Sequence, residues 1–86
     1  MDIKIKKHNW KIIDVPDKKM RKDWGECDYG NRKIKINKEA KSKRRLNTIV
    51  HELAHAIFPK MSHKNIYELA NVISKVLLKD KWQRKN

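Results

Sequence analysis

Ser42-Lys43-Arg44-Arg45-Leu46-Asn47-Thr48-Ile49-Val50-His51-Glu52-Leu53-Ala54-His55-Ala56-Ile57-Phe58 carries one apolar stripe at helical spacing, through Leu46, Ile49, Val50, Leu53 and Ile57. Ser42 is placed to cap such a helix and Pro59 to end it. At 100° per residue His51 and His55 lie roughly 140° to 180° from Leu46, on the side opposite the start of the stripe. They do not point into the main core, so a second wall must face them to make a cleft.

The five residues His51 to His55 read H-E-x-x-H, which sets two imidazoles one helical turn apart with a carboxylate beside the first. That is the donor pattern of a zinc hydrolase, and it needs a third protein ligand and an open position for water. Ser62 is placed to cap a final helix from His63 to about Lys79, with Ile66, Leu69, Ala70, Ile73 and Leu77 as its buried face. The short connection predicts a helical hairpin, bringing the start of the second helix close to His55. Two candidates for the third ligand follow. His63 lies about 80° from Ile73, at the margin of the buried face, whereas Glu68 lies about 140° away beside Lys64 and Lys75. His63 is therefore preferred over Glu68, with Asp28, Cys27 and His8 as further candidates. The expected cofactor is Zn2+. Glu52, adjacent to a ligand but not itself one, is placed to act as general base on a metal-bound water, which makes peptide-bond hydrolysis the expected chemistry. Tyr67, one turn after His63, is nominated as a donor to the developing oxyanion, with ordinary packing as its other reading. Thr48 is expected to bond either a motif side chain or its own helix backbone.

Ahead of the helices, Ile3 and Ile5 alternate with lysines and the run Trp10 to Val15 resumes the pattern, predicting a β-hairpin. Pro16-Asp17 breaks it, and the polar connector to Asp23 holds at most a helical turn around Met20. From Trp24 a second hairpin is expected, turning at Gly30-Asn31 on positive backbone angles and returning through Lys33 to Asn37 with Ile34 and Ile36 on one face. The expected fold is α+β: a small antiparallel sheet of two hairpins packed against a two-helix hairpin, one domain over residues 1–86. If Lys33 to Asn37 were a sheet edge beside the cleft, an extended substrate could pair with it.

A chain of 86 residues buries only about 60% of the surface its unfolded form exposes, so a bound metal would add needed folding free energy. Cys27 is the only cysteine, which excludes an intrachain disulfide. No signal-peptide pattern or long apolar run is present, and the expected setting is cytoplasmic, with no membrane partner. Lys and Arg number 23 against 10 Asp and Glu, a formal charge of +13. The basic residues run through Lys4 to Lys11, Lys18 to Lys22 and Lys38 to Arg45 and recur to Lys85, so the expected partners are a protein or peptide substrate and, for the charge, nucleic acid or a protein bound to it.

The motif on its apolar helix resembles the zincin metallopeptidases, and the strand, turn, strand and motif-helix order from Trp24 to Phe58 looks like the compact SprT-like domain and its phage and prophage relatives. The ImmA/IrrE group is similar too. His63 and Tyr67 echo the SprT-like third histidine and the aromatic four residues on, although Lys64 stands where Gly usually follows and the connecting loop is shorter. Glu68-Leu69-Ala70-Asn71 echoes the glutamate-bearing helix of the ImmA/IrrE group, with the glutamate one residue nearer the Ala-Asn pair. The metzincin pattern fails, since Phe58 and Met61 occupy its Gly and third His positions. The resemblance implies an intracellular zinc metallopeptidase, its relatives being associated with cleavage of DNA-bound proteins or of repressors. The competing reading is a non-catalytic zincin-fold binding or regulatory protein associated with nucleic acid.

Overall fold

The alternating runs form four strands, β1 (Asp2–Ile5), β2 (His8–Val15), β3 (Gly25–Asp28) and β4 (Lys33–Asn37), in the computed structural model of the protein, which describes residues 1–80. A short helix α1 (Asp17–Met20) bridges β2 and β3, and α2 (Ser42–Ile57) and α3 (His63–Asp80) follow the sheet. The basic residues after Asp80 lie outside the described residues.

Each expected hairpin forms, β1 with β2 and β3 with β4, both antiparallel. Their association corrects the expectation of an all-antiparallel sheet. The strand order is β1-β2-β4-β3, and β2 runs parallel to β4 with Ile12 opposite Ile34 and Asp14 opposite Ile36. After β2 the chain crosses through α1 to the far edge and returns inward as β4. The physical reason lies in the side chains. Ile34 and Ile36 are both fully buried, so β4 takes the interior position, while β3, with Glu26 and Asp28 on its outer face, tolerates the edge. Lys33 to Asn37 is therefore not an edge; Gly25 to Asp28 is.

Two local expectations also change. Gly30 and Asn31 do not adopt positive φ; Arg32 does, at 52°. The Asp28 carboxylate accepts from both the Asn31 backbone amide (3.1 Å) and its side-chain amide (3.0 Å), and this holds the turn closed without a left-handed glycine. Ser42 does not cap α2: Lys41 takes the N-cap position with no side-chain hydrogen bond, and Ser42 has φ 49°. Ser62 does cap α3, its Oγ accepting from the Asn65 amide at 3.1 Å.

The core lies between the inner sheet face and α2: Ile5, Trp10, Ile12, Ile34, Ile36, Ala40 and Ala56, flanked by Ile49, Leu53 and Ile57. On α3 the buried positions are Ile66, Ala70 and Ser74, whereas Ile73, expected inside, is 36% exposed. Alanine and serine at the contact let α3 approach α2 closely, and Asn47 donates to Ser74 Oγ across the seam at 3.3 Å. No helix among the described residues is long and apolar enough to cross a membrane.

Asn37, 1% exposed, ties the connector between the hairpins to this frame. Its Nδ2 donates to Asp17 Oδ1 (2.6 Å) and to the Asp23 carbonyl (3.0 Å), its Oδ1 accepts from the Glu39 amide (2.8 Å), and its own amide donates to the Trp24 carbonyl (2.9 Å). Truncation would leave several buried groups unpaired. Asn37→Ala is expected to lower the free energy of unfolding in urea by about 2–3 kcal/mol, and a loss below about 0.5 kcal/mol, the usual range for a surface change, would contradict this role.

Candidate metal centre

Helix α2 packs on two surfaces at once, which the apolar stripe alone did not reveal. Thr48 and Glu52 turn toward β3, where Gly25 admits them, and Ala56 turns into the core. Ala54 and Asn47 turn toward α3. His51 and His55 occupy the angle between these two faces, each half-buried. The cleft required by their position is closed on its far side by the first turn of α3.

His63 stands on that turn, and one ring nitrogen from each of His51, His55 and His63 falls within 4.8 Å of the other two. His51 Nε2 and His55 Nε2 are 3.2 Å apart. Two tetrahedral zinc ligands at bond lengths near 2.05 Å would be separated by about 3.3 Å. The ring centroids of His63 lie 5.1 Å from His51 and 5.4 Å from His55. Among the described residues no Glu, Asp or Cys joins this cluster. Glu68 is exposed on α3, His8 lies on β2, and the Asp28 carboxylate is taken by Asn31 and by Lys35 at 3.6 Å. Cys27 lies on β3 packed against the core, where burial pushes its thiol up to about 11 and keeps it protonated.

Burial, and then the neighbouring imidazoles, hold His51 and His55 below the ordinary histidine range. Both rings are thus neutral at pH 7, the form that binds a metal. His63 remains exposed, so the cluster opens to solvent along α3. The residues present fit a single divalent ion with three nitrogen donors and one remaining position, and nitrogen donors of this type suit zinc.

Glu52 is 8% exposed and reaches the cleft beside His51. A Cβ at Gly25 would meet Glu52 Cγ at 2.9 Å and Thr48 Cγ2 at 2.6 Å, so glycine is what lets the carboxylate lie between α2 and β3. Burial, and then the charges of Glu26 and Asp23, push its carboxyl up to about 7. Tyr67 packs its ring edge-on against His51 at 5.7 Å and lies 6.1 Å from His63, with its hydroxyl end exposed to the cleft. Thr48 Oγ1 donates to the Arg44 carbonyl at 2.7 Å, the helix-backbone alternative, and does not serve a motif side chain.

The cleft encloses about 380 Å3. Sequence reasoning missed three of its walls. Trp24 and Arg44 stack on its lining, guanidinium carbon 5.0 Å from the ring centroid, and Asn47 lines it one turn before His51. Arg44 and Asn47 stand at i−7 and i−4 from His51, a helical spacing that could have flagged them; nothing in the sequence points to Trp24. Tyr29 was also missed: its hydroxyl donates to the His55 carbonyl at 2.9 Å and pins the end of the motif helix to the β3–β4 turn.

Compared with known proteins, the chain matches no family model, no curated protein and no solved structure.

The Glu52 environment has a measurable signature in metal-free protein. With a folded pKa of about 7 against an ordinary 4.5, the native state holds more protons than the unfolded state between those values, so this group's contribution to stability falls as pH rises through the window. Glu52→Gln removes the titration. In the presence of a chelator the variant is expected to equal wild type near pH 4 and to exceed it by roughly 1–3 kcal/mol at pH 8. A pH-independent difference in urea unfolding would contradict the buried-carboxyl assignment.

Proposed function

We propose that the protein is a minimal zinc-dependent metallopeptidase of zincin type, with His51, His55 and His63 as metal ligands and Glu52 as general base. The observation that carries this reading is the convergence of three imidazoles from two helices on one point, with a buried carboxylate beside them and a cleft in front. Zinc held there would lower the pKa of a bound water toward 7 and polarise a substrate carbonyl.

The remaining roles fall to the chain's own atoms. Glu52 Oε accepts the proton of the attacking water and returns it to the departing amine, a transfer that a carboxyl with a pKa near neutrality performs in both directions. Tyr67 Oη donates a hydrogen bond to the oxygen on which charge develops. The Glu52 side chain fills the space that Gly25 leaves between β3 and α2, which limits the positions its carboxylate can take beside the cleft. An extended polypeptide lying across His51 can pair with β3, the free edge of the sheet adjoining the cleft. Arg44 lies over the Trp24 ring beside the cleft, and with a formal charge of +13 the chain favours a polypeptide that is acidic or bound to nucleic acid. The setting we assign is cytoplasmic.

The test separates metal binding from catalysis. Wild type is expected to bind one zinc per chain and to cut an unfolded protein substrate; Glu52→Gln is expected to retain the zinc while cleavage falls by at least about 100-fold, and His63→Ala to lose both. Equal cleavage by wild type and Glu52→Gln would discard the general-base role. Zinc binding with no cleavage by wild type would favour the non-catalytic, nucleic-acid-associated alternative.

A further inference from the structure

The cleft does not end at the histidines. Past Tyr67 it continues along the seam of α2 and α3 into a second hollow of about 450 Å3, lined by Lys43, Arg44, Asn47, Tyr67 and Asn71. Arg44, Asn47 and Tyr67 border both hollows, so they form one groove. Its far section contains two cations, two amides and no carboxylate. Neither Lys43 nor Arg44 has a salt bridge or side-chain hydrogen bond among the described residues, although Arg45, the next residue, is paired with Asp14 at 2.9 Å. Arg44 is held over the Trp24 ring, which fixes the guanidinium without using its N–H donors on an acceptor. Asn71 Oδ1 accepts from Asn47 Nδ2 at 2.7 Å, and this leaves the Asn71 amide hydrogens unspent.

We infer that this section is a carboxylate subsite, in which Arg44, Lys43 and Asn71 bind an acidic side chain of the polypeptide substrate. The inference rests on the peptidase reading for the term substrate; the site itself rests on the groove. A fork of N–H donors beside an ammonium is the arrangement that a planar carboxylate satisfies best. Spacing sets the position. Asn47 and Arg44 precede His51 by four and seven residues, about 6 and 10 Å along the helix, and an extended peptide covers about 3.3 Å per residue. The acidic residue therefore stands two or three positions from the bond lying over His51. Nucleic acid would also answer the positive charge, but the groove leads straight from Glu52 and His51, so whatever chain crosses the metal centre continues into it.

Fluorescence anisotropy with the zinc-loaded protein tests this, using two labelled peptides of equal length, one with Glu pairs on both sides of an apolar centre and one with Gln in their place. Wild type is expected to bind the Glu peptide about tenfold more tightly. The double variant K43A/R44A is expected to erase that preference, whereas K6A/K7A, which removes the same charge at the β1–β2 turn beside the opposite end of α2, is expected to keep it. R44E is expected to shift the preference toward a peptide with Lys in place of Glu, a gain that unfolding cannot produce. Equal loss in both double variants, or no preference in wild type, would overturn the subsite. So would tighter binding of a single-stranded oligonucleotide with the same dependence on Lys43 and Arg44, which would assign the groove to nucleic acid. Selective binding of the Glu peptide without cleavage would leave the subsite standing and remove the peptidase reading; cleavage of both peptides at equal rate and affinity would do the reverse.

Discussion

A side chain at Gly25 would place its Cβ 2.6 Å from Thr48 and 2.9 Å from Glu52, and the distance between β3 and α2 is set by the space that glycine leaves. Everything at the cleft follows from that approach. With the sheet this close on one side and the Ala54, Ala70 and Ser74 contacts drawing α3 in on the other, α2 is held between two walls. His51 and His55 lie in the angle between them and stay half-buried. The same closeness dehydrates Glu52, and a carboxylate that would be an ordinary surface group on a lone helix becomes one that holds its proton near neutrality.

On the outer sheet face Lys11 pairs with Asp2 and Lys35 with Glu26 and Asp28, exposed or part-exposed pairs that contribute little to stability but offset charge on that face. The basic residues that form no ion pair among the described residues are spread over the sheet, the loops and both long helices, with Arg44 beside the cleft. Acidic groups structure the turns, Asp28 by accepting from Asn31 and Asp17 by accepting from Asn37, whose amide also holds the connector that delivers Trp24 to the cleft wall.

The existence and order of the strands and of both long helices were legible from period and punctuation. The neighbours of each strand were not, because alternation fixes a face and says nothing about which edges meet; the burial of Ile34 and Ile36, and with it the parallel β2–β4 pair, arises only on assembly. The stripe through Leu46 and Leu53 located the apolar side of α2 and missed its buried polar positions, since Thr48 and Glu52 are buried by a tertiary fit to a glycine. On α3 the hydrophobic count favoured Ile73, but close packing selected Ser74. At the site, the five-residue motif and the helical angle of His63 were readable because helix geometry is local. Trp24, Asn47 and Arg44 were not singled out, for their meeting depends on how the second hairpin lies against α2.

On the proposed function one metal ion is held by three imidazoles and by no carboxylate or thiolate of the chain. Zinc K-edge X-ray absorption on the zinc-loaded protein reads this shell. The expected spectrum shows nitrogen and oxygen near 2.0 Å, with outer-shell scattering from three histidine rings that drops to two in His63→Ala if any zinc is retained. A shell containing sulfur near 2.3 Å, or two imidazoles whose spectrum is unchanged by His63→Ala, would contradict it.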